Sequence, residues 1–291
     1  MKFEHVRVMN LENAFRGMRH PKESYHLSDS AFGFGNFRNT AVNFEIARKW
    51  ADFIISSADE ESNPEIIKKI MDKTEPWLMK NGVIQACENG EGFEYAFLGP
   101  KDLRLAQQLI CGGSEHRKFM RQIFVSVDIT APLYLWKELD TYKVGTVANS
   151  TSTMHKIQSK PITMDCFETD DFVEIGWPNE DNHFVKGNLI PYLEFLRKKF
   201  VETENIVYWK ELIRWLPESW LQTRTITMNY ENLLAMCSKG QRRFHKLNEW
   251  SGRWTEVEES FIQFARSLPY AQELIFMDEI NDRKFPKIDF I

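Results

Sequence analysis

Between Trp136 and His155 the chain gathers the side chains best suited to chemistry: a carboxylate at Asp140, hydroxyls at Thr141, Tyr142, Ser150 and Ser152, and an amide at Asn149. Such groups hydrogen-bond a neutral base or sugar better than a phosphate. The same residues can instead form a loop whose Ser and Thr groups satisfy their own backbone. Ser150 has no base beside it in sequence, so a nucleophilic serine is not indicated. His116 and His155 can act as general acid or base near neutral pH, or serve as structural hydrogen-bonding histidines. Arg242, Arg243 and His245 can hold a phosphate through charge-assisted bonds, or form a solvated basic face.

Other clusters carry less. Gly112-Gly113-Ser114 lacks the Lys-Ser/Thr ending of a phosphate loop and reads as a helix stop. The acidic run Glu168–Asp171 reads as a solvated loop rather than a metal site. The four cysteines are far apart, without CxxC or His/Cys spacing, so neither a disulfide framework nor zinc is expected. Arg121 is expected on a strand, paired with Glu115 or Asp128.

The elements that must position these groups follow from periodicity. Residues 41–57 and 63–76 carry helical spacing, and 82–98 read as a β-hairpin around a Glu-Asn-Gly-Glu-Gly turn. A helix opens at Pro100. Alternation from Phe119 to Ile129 predicts a strand, and Thr130-Ala-Pro132 starts the next helix. Helices are expected at 187–203, 205–215, 230–237 and 254–267, with a strand over 223–228 that ends at Asn229. Residues 1–40, rich in turn formers and aromatics, are expected to be an irregular arm. Residues 41–291 then form one α+β domain with an irregular acidic insertion at about 160–186.

With 291 residues and 43% hydrophobic content the chain can bury a full core. Its 22 Phe and 9 Trp suggest heavy packing or subunit contacts. A net charge of −5 provides no field for a nucleic-acid polymer. No apolar run approaches the roughly 18 residues needed to span a bilayer, and the N-terminus has no signal-peptide core. The expectation is a cytoplasmic protein without a membrane partner.

Two segments resemble the flavin-dependent thymidylate synthases. In that family a strand and helix lead to an Arg-His-Arg triplet, with a serine after seven intervening residues. Here Asp140-Thr141-Tyr142 takes the triplet position and Ser150 follows at the same interval. Upstream, Ser114-Glu115-His116 is similar to the family's Glu-His element. The second segment runs from Leu216-Pro217 through Met228-Asn-Tyr-Glu-Asn-Leu-Leu to Arg242-Arg-Phe-His245. It resembles the family's strand ending in Asn, the helix after it, and the stretch that holds the nucleotide.

The resemblance implies a small, mostly antiparallel sheet flanked by helices. It implies FAD as cofactor, with Asp140, Thr141, Tyr142, Ser150 and Asn229 at the cofactor positions. Arg242, Arg243, His245 and Ser152 fall at the substrate positions, for a deoxyuridylate-like pyrimidine nucleotide. It further implies a homotetramer, and a viral or prophage origin. Two signs are reversed, because Asp140 and Glu231 stand where the family has cations. Two functions remain open: a divergent flavin-dependent methyltransferase, or a non-catalytic scaffold binding a nucleotide or, through residues 1–40, another protein.

Overall fold

Alternating burial along β5 (Phe124–Pro132) places Val125, Val127, Ile129 and Ala131 inside and leaves Ser126, Asp128 and Thr130 partly exposed. In the computed structural model, which describes residues 1–36, 83–86, 92–169, 184–239, 242–253 and 259–279, this strand belongs to a four-stranded sheet. Its other members are β1 (Lys2–Met9), β6 (Val147–Ser150) and β7 (Leu221–Asn229), in the order β1-β5-β7-β6. Strand β6 runs antiparallel to β7, with Val147 opposite Thr227 and Ser150 opposite Arg224.

A second sheet joins β2 (Ala31–Asn36), β3 (Val83–Ala86) and β4 (Gly92–Phe97) in the order β2-β4-β3, with both pairings antiparallel. The expected hairpin over 82–98 is therefore present as β3 and β4. Helices with small antiparallel sheets make this an α+β protein.

The chain divides into two compact units. The first comprises Met1–Val6, Ser126–Thr227 and Arg243–Phe264. Its helices Ile190–Thr203 and Ile206–Arg214 close over a core of Ile157, Ile162, Phe167, Leu193, Leu196 and Leu212. The second comprises Arg7–Val125, Met228–Arg242 and Ala265–Ile291. There the helix Pro100–Cys111 buries Leu103, Ala106 and Ile110, and Gly113, at φ +100°, ends it in the left-handed conformation that glycine adopts without strain.

Two expectations are corrected. Lys118–Gln122 is a 3-10 turn, and the strand begins only at Phe124. Phe119 and Met120 are adjacent and both buried, which the tight turn permits and which breaks the in-out alternation that continues from Val125. Nor are the first forty residues irregular where described. They contain β1, β2 and the helix Leu11–Arg19, whose Leu11, Ala14, Phe15 and Met18 form a buried stripe at helical spacing.

After that helix the chain is fastened by a buried ion pair, Arg19 Nε to Asp102 Oδ1 at 2.5 Å, with Ser28 and Ser30 hydroxyls donating to the other carboxylate oxygen. The helices expected at 41–57 and 63–76 lie outside the described residues. So do residues 170–183 of the acidic segment, whose earlier part contributes Ile162 and Phe167 to the first core. Among the described residues no helix is long and apolar enough to cross a membrane.

Candidate functional site

The helix Leu133–Leu139 is tied to the segment preceding β7, because its first two amides donate to the carbonyls of Trp220 and Glu218. Its Trp136 is buried, and the indole N–H donates to Gln222 O at 2.9 Å. Over that ring, 4.4 Å from its centroid, lies the Arg224 guanidinium. Arg224 Nε donates to Gln222 Oε1 at 2.9 Å, and Nη1 lies 3.3 Å from Asp140 Oδ1.

Asp140 starts the 3-10 turn Asp140–Tyr142 that continues the helix. Ser150 sits opposite Arg224 in the β6–β7 ladder. The structure thus brings Asp140 and Ser150 to one arginine. All four residues of β6 are exposed, so the Asn149 amide and Ser150 hydroxyl are solvent-facing.

A second cluster in the same unit is aromatic. Trp250 is fully buried, with the Tyr142 ring at 5.7 Å and the His245 ring at 5.6 Å. His245 Nδ1 accepts the Leu247 amide at 3.1 Å, which leaves the proton of the neutral ring on Nε2. That atom faces Glu138 Oε1 at 3.6 Å. The Tyr134 hydroxyl donates to the buried carboxylate of Glu249, the residue before Trp250. Among the described residues the Trp250 indole N–H finds no hydrogen-bond acceptor. Tyr142 and His245 are therefore joined through one tryptophan that sequence reasoning did not single out.

The remaining expected residues make local bonds. Ser152 caps the short helix Thr153–Lys156 by accepting from His155 N, and Thr141 is exposed. Arg243 is buried. In the second unit, Asn229 caps the helix Tyr230–Met236 in a reciprocal box with Asn232, and Arg242 donates to Ala235 O at 2.8 Å.

Glu231, where the resemblance leads one to expect a cation, is clamped in the second unit by two guanidiniums. Arg117 Nε lies at 3.0 Å and Arg121 makes a shorter contact. This corrects the pairing expected for Arg121. Glu115 instead lies 3.5 Å from Lys118, and Asp128 accepts the Thr225 hydroxyl at 2.5 Å. Burial pushes the Glu231 carboxyl up, but hydrogen bonds and charge from Arg121 and Arg117 outweigh it and hold the group below the ordinary carboxylate range.

Arg224 is the residue sequence reasoning missed. Its signal was available: it is the one charged side chain in β7, LQTRTITMN. Among the described residues no group of three His, Cys, Asp or Glu side chains is placed to hold a metal.

No family model matches this chain, and no curated protein matches it. Among solved structures, it aligns with thymidylate synthase X from Helicobacter pylori, solved with FAD and dUMP, at 14% identity and a TM-score of 0.48, covering 97% of this chain and 100% of that one. A second structure of the Helicobacter pylori enzyme, also with FAD and dUMP, aligns at 16% identity and a TM-score of 0.41, over 74% of this chain and 95% of that one. The UMP/dUMP methylase PolB from Streptomyces cacaoi, bound to 5-Br dUMP, aligns at 13% identity and a TM-score of 0.38, over 62% and 82%.

Proposed function

We propose that this chain is a flavin-dependent thymidylate synthase-like protein that binds a pyrimidine nucleotide through the face around Asp140, Tyr142 and Ser150, and that it does not transfer a methyl group. The observation that carries the reading is the Asp140–Arg224 pair. The Arg224 guanidinium beside the triplet position is already neutralised by the carboxylate that stands where the resemblance implies a cation. What the face then offers is a charge-balanced surface of hydroxyls, an amide and the half-buried Tyr142 ring. Such a surface favours hydrogen bonds to a base or sugar and stacking on an aromatic, over capture of a dianion.

The donor set does not fit a flavin diphosphate. A pyrophosphate needs guanidinium or amide donors with charge to spare. Here the Asp140 carboxylate, about half exposed, would repel it, and His245 presents its proton to Glu138. No step of methylene transfer or flavin reduction is assigned to these residues. The homotetramer implied by the resemblance and the cytoplasmic location expected from the sequence belong to the same proposal.

The test is an absorption spectrum of the purified chain, with mass spectrometry of whatever denaturation releases, followed by a methyl-transfer assay with deoxyuridylate, a methylene-folate and added FAD. A colourless protein that binds deoxyuridylate and yields no thymidylate is the expected result. Bound flavin with turnover would overturn the reading in favour of an active synthase.

A further inference from the structure

The second unit contains a cavity of about 680 Å³ between the end of the helix Leu11–Arg19, the turn after it, and the helix Pro100–Cys111 with its C-terminal turn. This lies within the roughly 300–1,000 Å³ of small-molecule sites. Its floor is apolar, built from Met18, Leu105, Leu109 and Phe119. Its rim is different: Lys22, Lys118, His20 and His116 stand around the opening against a single carboxylate, Glu115.

Glu115 lies 3.5 Å from Lys118 and is balanced by it. Among the described residues no carboxylate pairs with Lys22, so the rim keeps a net positive charge. Two glycines keep the walls thin. A methyl group at Gly17 would come within 3.1 Å of Gln122 Oε1, and one at Gly112 within 3.1 Å of the His116 ring.

We propose that this cavity binds a small organic anion with a flat apolar body, of the aryl carboxylate or aryl phosphate class. The body would lie on the half-buried Leu105 and Leu109 against Phe119, removing exposed area of the two leucines from water. The head group would meet the Lys22 ammonium and the His116 imidazole at the mouth, where a cation and a nitrogen donor suit an oxyanion. None of these residues belongs to the Asp140 face, so the inference stands apart from the nucleotide reading.

The experiment titrates the full-length chain with 1-naphthoate, 1-naphthyl phosphate and the uncharged 1-naphthylmethanol, followed by calorimetry and by two-dimensional NMR. The proposal expects saturable binding of at least one anion, and binding of the uncharged probe weaker by about tenfold or more. Lys22→Glu should weaken the anion by about tenfold and leave the alcohol unchanged. Leu109→Trp, which fills the floor, should weaken all three. Circular dichroism establishes that each variant is folded, and the surface change Lys22→Glu keeps the test usable if Leu109→Trp is not.

The relative strength of carboxylate and phosphate identifies the head group. Equal binding of anion and alcohol would overturn the proposal, as would anion binding indifferent to Lys22→Glu, or no binding of any probe at millimolar concentration.

Discussion

Arg224 holds Asp140 at 3.3 Å while lying 4.4 Å over the Trp136 ring, so one guanidinium serves an ion pair and a cation–π contact at once. The negative charge at Asp140 is thereby offset by an arginine from a strand more than eighty positions further along. Glu231 repeats the pattern with Arg117 and Arg121. In both places a carboxylate is accompanied by guanidiniums that neutralise it locally.

Arg224→Gln removes the pair, the ring contact and the bond to Gln222 together, and is expected to cost about 1–2 kcal/mol of stability. Asp140→Asn removes only a half-exposed partner and should cost less, about 0.5 kcal/mol. Denaturant titration of the two single variants and the double variant checks this, because a coupling energy well above zero is expected only if the side chains touch in solution.

Glu231→Gln should lower the thermal midpoint at neutral pH, since two guanidiniums lose their counter-charge. The Glu231 carboxyl is held below its ordinary value, so its contribution is present above the unfolded value of about 4.3 and is lost as pH falls through the folded one. The difference in melting temperature between parent and variant should therefore be constant from neutral pH down to about pH 5, then shrink as the medium becomes more acidic. Differential scanning calorimetry across that range reads it directly.

Asp102→Asn is expected to be the most damaging single change named here. It leaves the buried Arg19 guanidinium uncompensated and weakens the bonds from Ser28 and Ser30, for a loss of about 3–5 kcal/mol. Urea midpoints check it. Ser30→Ala, which removes one hydroxyl and leaves the ion pair, should cost no more than about 1.5 kcal/mol.

Asp140→Arg tests the polarity of the face. Two guanidiniums would then adjoin, so stability should fall modestly while affinity for added FAD rises from its starting value. Fluorescence quenching of FAD measures the second effect. Unchanged flavin binding would place the Asp140 turn away from any anion path.

Much of the architecture was legible because burial writes itself into period. Strand β5 is read from Val125, Val127 and Ile129 alternating with Ser126 and Asp128, and the helix Pro100–Cys111 from Pro at its first turn and Gly-Gly after its last. What stayed hidden depended on partners distant in sequence. Nothing local to Arg121 distinguishes Glu231 from Glu115, and only the fold, which turns Lys118–Gln122 into a tight helical turn, decides it. The stripe Leu11, Ala14, Phe15, Met18 was obscured by the Pro, Gly and Ser residues that follow it. Of the candidate site, Asp140, Tyr142, Ser150 and His245 were identified by residue type, but the two side chains that join them, Arg224 and Trp250, were not. A lone arginine in a β-branched strand stands out but does not name its partner, and one of nine tryptophans carries no spacing signal of its own.

The most direct test is calorimetric titration of the intact chain with deoxyuridine and deoxyuridylate side by side. A charge-balanced face predicts that both ligands bind, with affinities within about tenfold of each other, and that Tyr142→Ala weakens both alike. Failure of both to bind at millimolar concentration, or tight capture of deoxyuridylate alone, would contradict it.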